Sequence, residues 1–194
     1  MKALDQETEY MMFEYDERVW NEELIGEILS NKHNLLIGVI KEFYEMTKIL
    51  FICHGNICRS PMAEFAMKDL VKKRGIKDKF HIESAATSTE ELGNGVYPPV
   101  KALLKSKGID FAGKTARQIR KEDYDKFELL IGMDSANVRN MKRVFGNDRK
   151  ISMLLDYTGH PGEVADPWYT RDFNATWEDV IRGCEGLLEY ILRK

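Results

Sequence analysis

Residues Cys53-His54-Gly55-Asn56-Ile57-Cys58-Arg59-Ser60 place a cysteine, an arginine and a serine at Cys-x5-Arg-Ser spacing. These residue types suit one task, which is to hold a phosphate and attack it. A cysteine thiolate is a strong nucleophile near neutral pH, and a field of backbone N–H groups favours it over the thiol. Arg59 offers a planar fork to two phosphate oxygens at once. Gly55 and Asn56 are residue types that tolerate left-handed backbone, as a tight anion-binding loop demands. His54 is expected to contribute its backbone N–H rather than its imidazole. The run His54 to Ser60 is therefore the expected phosphate cradle, with Cys53 at its floor.

A second candidate lies 113 positions beyond the cysteine, at Asp166-Pro167-Trp168-Tyr169. Breaking a phosphate ester leaves an oxyanion that needs a proton, and a carboxylic acid on a loop can supply it. Pro167 stiffens that loop, and Trp168 and Tyr169 would wall a pocket for a flat group. A metal site is not expected. Cys53 and Cys58 are spaced outside the usual short metal hook, and only Cys184 and four scattered histidines remain as further ligands. No cofactor is implied.

These residues need elements to aim them. Lys48-Ile49-Leu50-Phe51-Ile52 is near-continuously apolar, as a buried parallel strand is. Ser60-Pro61 reads as an N-cap followed by proline at the first helical position, and Met62, Phe65, Ala66 and Leu70 follow at helical spacing. Such a strand–loop–helix joint points successive N–H groups and the positive end of a helix at one place. Beyond it, strands are predicted at 48–53, 80–84, 127–132 and 149–153. Helices are predicted at 61–74, 97–107, 119–124, 134–145 and 174–193. The last carries Trp177, Val180, Ile181, Cys184, Leu187, Leu188 and Ile191 on one face, so Cys184 reads as a core thiol. The alternation predicts an α/β domain, a four-stranded parallel sheet with helices on both faces, with the phosphate loop at the carboxyl end of the first strand.

With 194 residues, 43% apolar and 31% charged, the chain has room for one such domain and an appendage. Residues 1–45 hold eleven acidic and four basic residues, a net of −7 that leaves +4 for the remainder. Apolar residues recur there at helical intervals, from Met11 through Trp20 and Ile28 to Phe43, and predict two helices broken near Asn31–Asn34. We expect domains at 1–45 and 46–194, the first an acidic helical extension available for packing or self-association. The net charge of −3 carries no polybasic signature, so neither nucleic acid nor membrane is an expected partner. Three cysteines suit a reducing cytoplasm, and the run Leu35 to Ile40 is too short to span a bilayer. No cleavable signal is expected.

Taken together, the two motifs resemble the low-molecular-weight protein tyrosine phosphatases, a family that also contains thioredoxin-coupled arsenate reductases and protein-arginine phosphatases. The resemblance covers residues 46–194. Glu83-Ser84-Ala85-Ala86-Thr87-Ser88, Gly108-Ile109-Asp110, Ala116-Arg117-Gln118 and Met133-Asp134 are similar to the family's other landmarks, in the expected order. The resemblance implies a metal-independent phosphatase with a phosphocysteine intermediate, acting on phosphorylated proteins and small aryl phosphates. It makes Cys53 the nucleophile, Arg59 the phosphate-binding arginine and Asp166 the general acid. Ser60 would steady the thiolate and Asn56 would hold the loop shape.

Two departures stand out. Where many members carry an aromatic residue beside the pocket, this chain has Glu90-Glu91, an acidic rim that would disfavour acidic peptides. Lys114 stands where members often have a histidine supporting the phosphate loop. Arsenate reductases of this fold relay oxidation through further cysteines, and here only Cys184 remains downstream. Phosphoarginine-specific members resemble one another in a threonine before the second cysteine; Ile57 here is of the phosphotyrosine type. Both alternatives stay open, as does a module that merely recognises phosphorylated partners, although a pure binder has no need of a proton donor.

Overall fold

Alternate residues of the first strand, β1 (Thr47–Cys53), face opposite ways, and both ways are core. Ile49, Phe51 and Cys53 belong to one apolar cluster and Leu50 and Ile52 to another, and the four large side chains Ile49 to Ile52 are wholly buried. Burying each stabilises by about 1.5–3 kcal/mol. A strand apolar on both faces belongs at the centre of a covered sheet, and β1 lies there. The computed structural model describes residues 29–31, 46–146 and 149–193. By its internal contacts the chain divides into Met1–Glu45 and Met46–Lys194, and the elements below all belong to the second unit. Of the two helices expected in the extension, only a helical 29–31 is described; the rest, and most of the break near Asn31–Asn34, lie outside the described residues.

The sheet is fully parallel in the order β2-β1-β3-β4, with β2 at Phe80–Ala86, β3 at Leu129–Gly132 and β4 at Ile151–Met153. One cluster joins the Ile49 face to α1 (Arg59–Lys73) and α6 (Phe173–Leu192), with α2 (Pro98–Ser106) at its margin. On the Leu50 face lie α3 (Asp123–Lys126) and α4 (Ser135–Phe145), through Tyr124, Val138, Met141 and Phe145. A one-turn α5 (Pro167–Thr170) precedes α6. The predicted sheet and its helices on both faces are therefore present. The strands β3 and β4 begin two residues later than predicted, and α3 starts later, because Ile119 extends a bridge at Ala86 instead: Ile119 donates to Ala86 O at 2.9 Å. Among the described residues no helix is long and apolar enough to cross a membrane.

Helix α6 brings its apolar stripe onto α1, where Cys184 Sγ lies 3.7 Å from Ala63 O. Burial pushes the Cys184 thiol's pKa up, with Glu185 adding to it, as befits a core thiol. On its other flank α6 meets the 3-10 turn Leu154–Tyr157 through two glycines. A Cβ on Gly183 would fall 2.5 Å from Leu154 Cγ, and one on Gly186 would run into the main-chain carbonyl of Tyr157. A side-chain tip can yield; a carbonyl in a capped turn yields much less. Gly186→Ala should therefore cost about 1–3 kcal/mol, the scale of overpacking. Urea unfolding should show a lower midpoint with an unchanged slope, and a midpoint equal to wild type would show that α6 shifts at no cost.

Candidate active site

Sheet order decides where the site lies. Strands β1 and β3 are neighbours, so the loops leaving their carboxyl ends meet, one carrying Cys53 to Ser60 and the other Asp134. Of the two residues expected to take left-handed backbone, only Asn56 does, at φ 56°. Gly55 is small for another reason: a Cβ there would stand 3.0 Å from Glu91 Cγ. The left-handed turn at Asn56 brings its own N–H to Cys53 Sγ at 3.3 Å. Ser60 Oγ lies 3.0 Å from the same sulfur. Ser60 does not cap α1, contrary to the capping expectation. The helix begins at Arg59 with Cys58 as an uncapped N-cap, because the Ser60 hydroxyl is turned into the loop.

A buried relay explains that turn. The Asn56 carboxamide donates to Ser60 Oγ at 2.9 Å and to Ser84 Oγ at 2.7 Å, and its oxygen accepts from the Arg117 N–H at 3.2 Å. With Asn56 donating into Ser60 Oγ, the serine proton is free for the sulfur. Ser84 Oγ in turn donates to Glu64 of α1, and Lys114 binds both Glu64 Oε2, at 3.1 Å, and Ser84 O, at 3.0 Å. Burial lowers the Lys114 pKa, more than Glu64 restores it. Lys114 thus ties β2 to α1 behind the loop. Ser84 was named only within a landmark stretch and Glu64 not at all; a glutamate at 4% exposure inside an apolar helix pattern is the signal that only burial makes visible.

Arg59 is 4% exposed and grips two carboxylates. Its Nη1 meets Asp134 Oδ2 at 2.7 Å and its Nη2 meets Asp166 Oδ2 at 2.6 Å. Burial would lower its pKa, but Cys53, Asp166 and Asp134 outweigh that and raise it, so the guanidinium stays charged. Asp134 also caps α4, accepting from Asn137 N at 2.6 Å, which fixes its carboxylate for Arg59. The sequence reading named Asp134 only as a landmark. Asp166 caps α5 by accepting from Trp168 N at 3.0 Å. Its loop is pinned on either side: Val164 N donates to Met133 O at 2.8 Å, and Ala165 is held to α6 by Asp179 and Thr176.

These residues line one cleft of about 600 Å³ with His54, Gly55, Ile57, Cys58, Glu90, Glu91, Tyr97, Trp168 and Tyr169. Every expected site residue borders it except Asn56 and Ser60, which lie buried beneath it. Tyr97, placed in the sequence only as the first residue of a predicted helix, packs at 5.9 Å from Trp168. Trp168 and Tyr169 are largely exposed at the mouth. Burial, then Cys53 and Asp166, push the Cys58 thiol's pKa up against the pull of Arg59. Among the described residues no His, Cys, Asp and Glu side chains gather as a metal site. What the arrangement supplies is a sulfur beside the Asn56 N–H and the Ser60 hydroxyl, a fixed guanidinium and a nearby carboxylate.

The model of the low molecular weight phosphotyrosine protein phosphatases matches residues 48–194. The chain is 37% identical over 153 residues to the low molecular weight protein-tyrosine-phosphatase YfkJ of Bacillus subtilis, covering 77% of this chain and 98% of that one. It is 35% identical to the low molecular weight phosphotyrosine protein phosphatase of Gallus gallus, over 75% of this chain and 96% of the other. The crystal structure of YfkJ aligns with a TM-score of 0.74 at 38% identity, over 76% of this chain and 96% of that chain. That of SP-PTP from Streptococcus pyogenes aligns at 0.68 and 42% identity, over 75% and 93%. The chain belongs to the low molecular weight phosphotyrosine protein phosphatase family and is a phosphatase enzyme.

One further support of the loop is sensitive to pH. Arg117, whose N–H holds Asn56, is itself locked by Asp123 at 2.9 Å and Glu83 at 2.9 Å. Burial opposes ionisation of Glu83, but hydrogen bonds from Lys126, His81 and Arg117 overcome it and lower its pKa from 4.5 to about 2. A depressed carboxylate stabilises the fold above its unfolded pKa and loses that contribution as pH falls through its folded one. Wild type should therefore exceed Glu83→Gln in stability most at pH above 4.5, with the gap closing between 4.5 and about 2. Urea titrations at stepped pH read this, and a gap independent of pH would mean Glu83 acts through packing alone.

Proposed function

We propose that this protein hydrolyses phosphotyrosine in proteins, and small aryl phosphates, through a phosphocysteine intermediate and without a metal. Residues 46–194 serve as its catalytic domain, 1–45 as an acidic appendage, and the cytoplasm as its compartment. In the first step Cys53 Sγ attacks phosphorus in line and the bond from phosphorus to the aryl oxygen breaks. Asp166 passes its proton to the departing phenolate. In the second step water attacks phosphorus, Asp166 takes up the water proton, and the sulfur leaves as thiolate with orthophosphate released. Arg59 and the loop N–H groups hold the equatorial oxygens throughout, where preorganised charge does most of the work.

The observation that carries this reading is the Arg59 fork. Its Nη2 arm meets Asp166 at 2.6 Å while its Nη1 arm stays on Asp134. A phosphate that takes over the Nη2 side leaves the Asp166 carboxyl beside the leaving-group oxygen. Apolar and aromatic walls at Ile57, Tyr97, Trp168 and Tyr169 suit an aryl ring. Turnover of phosphotyrosine, phosphoarginine and arsenate by the same preparation separates this reading from the arginine-phosphatase and arsenate-reductase ones.

Cys53→Ser should abolish turnover and keep inorganic phosphate binding, because the N–H cradle survives the change. Calorimetry and aryl phosphate hydrolysis read the two properties, and near wild-type hydrolysis would remove Cys53 as nucleophile. Asp166→Asn should slow substrates with leaving groups of high pKa by about 10²–10⁴-fold and good leaving groups far less. A loss independent of leaving-group pKa would make Asp166 a positioning residue rather than a proton donor.

A further inference from the structure

The segment after β2 is fastened along the phosphate loop by its main chain. Thr87 N donates to Cys53 O at 2.9 Å, Ser88 N to His54 O at 3.0 Å and Tyr97 N to Ile57 O at 2.8 Å. Glu90 and Glu91 ride on that segment at the cleft mouth. The Glu90 carboxylate lies 3.1 Å from His54 Nε2, both side chains being largely exposed. Glu91 packs against Gly55, and Asn94 Nδ2 donates to its carboxylate at 2.7 Å. Both carboxylates line the cleft that holds Cys53.

Elsewhere in the cleft lining the charge is mixed, with Arg139 near Glu163. Glu163 accepts from Ser135 N at 2.9 Å, and this hydrogen bonding, with the attraction of Arg139, lowers its pKa. Among the described residues the side-chain partners of the Glu90 and Glu91 carboxylates are the His54 imidazole and the Asn94 amide, so this part of the mouth carries negative charge that no lysine or arginine offsets. A phosphotyrosine ring spans the depth of the cleft and leaves the peptide main chain at that mouth. We propose that Glu90 and Glu91 are specificity-determining residues that select phosphotyrosine flanked by lysine or arginine and turn away phosphotyrosine flanked by aspartate or glutamate. The inference rests on the phosphotyrosine phosphatase reading above. Its physical basis is ordinary Coulomb attraction at a partly exposed rim, which salt screens.

Two phosphotyrosine peptides, identical but for one lysine or one glutamate on each side of the phosphotyrosine, provide the test with the full chain. Exposed charge pairs are each worth up to about fivefold, so wild type should favour the lysine peptide in kcat/KM by about tenfold at low salt, less at high salt. The double variant Glu90→Gln with Glu91→Gln should bring that ratio close to one. Glu178→Gln, at an exposed carboxylate that does not line the cleft, should leave it at the wild-type value. Equal turnover of the two peptides by wild type, or a ratio unchanged in the double variant, would overturn the assignment of Glu90 and Glu91. Failure to turn over either peptide would instead remove the phosphotyrosine reading and the inference with it.

Discussion

The left-handed backbone of Asn56 is the constraint on which the phosphate loop depends. A residue with a Cβ at φ 56° stores strain, of the order of 1–3 kcal/mol, unless its surroundings hold it there. They do so through the carboxamide, which is buried and bonded to Ser60, Ser84 and the Arg117 N–H. Each partner comes from a different element: α1, β2 and the segment bridged to the end of β2. Freed of any one, a buried amide would have an unmet donor or acceptor, which costs about as much as the strain itself. A loop contiguous in sequence is therefore held in shape by a helix, a strand and a bridged segment, two of them distant along the chain. Catalytic geometry and tertiary folding are here one cooperative event.

Charge behind the loop follows the same logic. Buried ion pairs contribute little net stability, since desolvation consumes most of the Coulombic gain, but losing one partner leaves a charge stranded. The Glu64–Lys114 pair joins α1 to the strand that supplies Ser84. Lysine at 114 stands where a histidine supporting the phosphate loop was expected, and it reaches that loop only through Ser84 and Glu64. Its ammonium has three donors on a flexible stem and reaches a carboxylate and a main-chain carbonyl together. The departure in residue type thus leaves the network connected. Arg59 is treated likewise from above, with Asp134 fixing one arm because that carboxylate is itself fixed as a helix cap.

What could be read in the sequence follows from how local each feature is. The strand, the loop and the helix after it are consecutive, so periodicity and residue type sufficed to place Cys53, Arg59 and the cradle. Asp166 drew attention through its proline and aromatic neighbours and through its pairing with the first motif. Asp134, Ser84 and Glu64 were out of reach because each is an ordinary residue for its position, a cap, a strand serine and a helix glutamate. Only the order β2-β1-β3-β4 brings them to the loop. Ser60 misled for a related reason. Its place before Pro61 satisfies the rule for a cap, but a hydroxyl within 3.0 Å of a sulfur is bound elsewhere. The starts of β3 and β4 were placed two residues early, at 127 and 149, where single hydrogen bonds from Glu128 N to Lys48 O and from Leu130 N to Lys150 O lead the chain into the ladder.

The attachment of the rim to the cradle has a consequence for how such a site can change. Thr87, Ser88 and Tyr97 hold the phosphate loop through main-chain groups alone, so their contribution is independent of the side chains between them. Residues 89–94 hang from those fixed points with Leu92, Gly93 and Asn94 in solvent. Substituting Glu90 or Glu91 alters the field at the mouth without disturbing a backbone bond to Cys53, His54 or Ile57. Substituting Asn56, Ser84 or Glu64 disturbs the cradle itself. The architecture therefore separates what selects a substrate from what reacts with it, although the two lie in one cleft. An acidic rim on a family scaffold that elsewhere carries an aromatic residue is the kind of variation this separation permits.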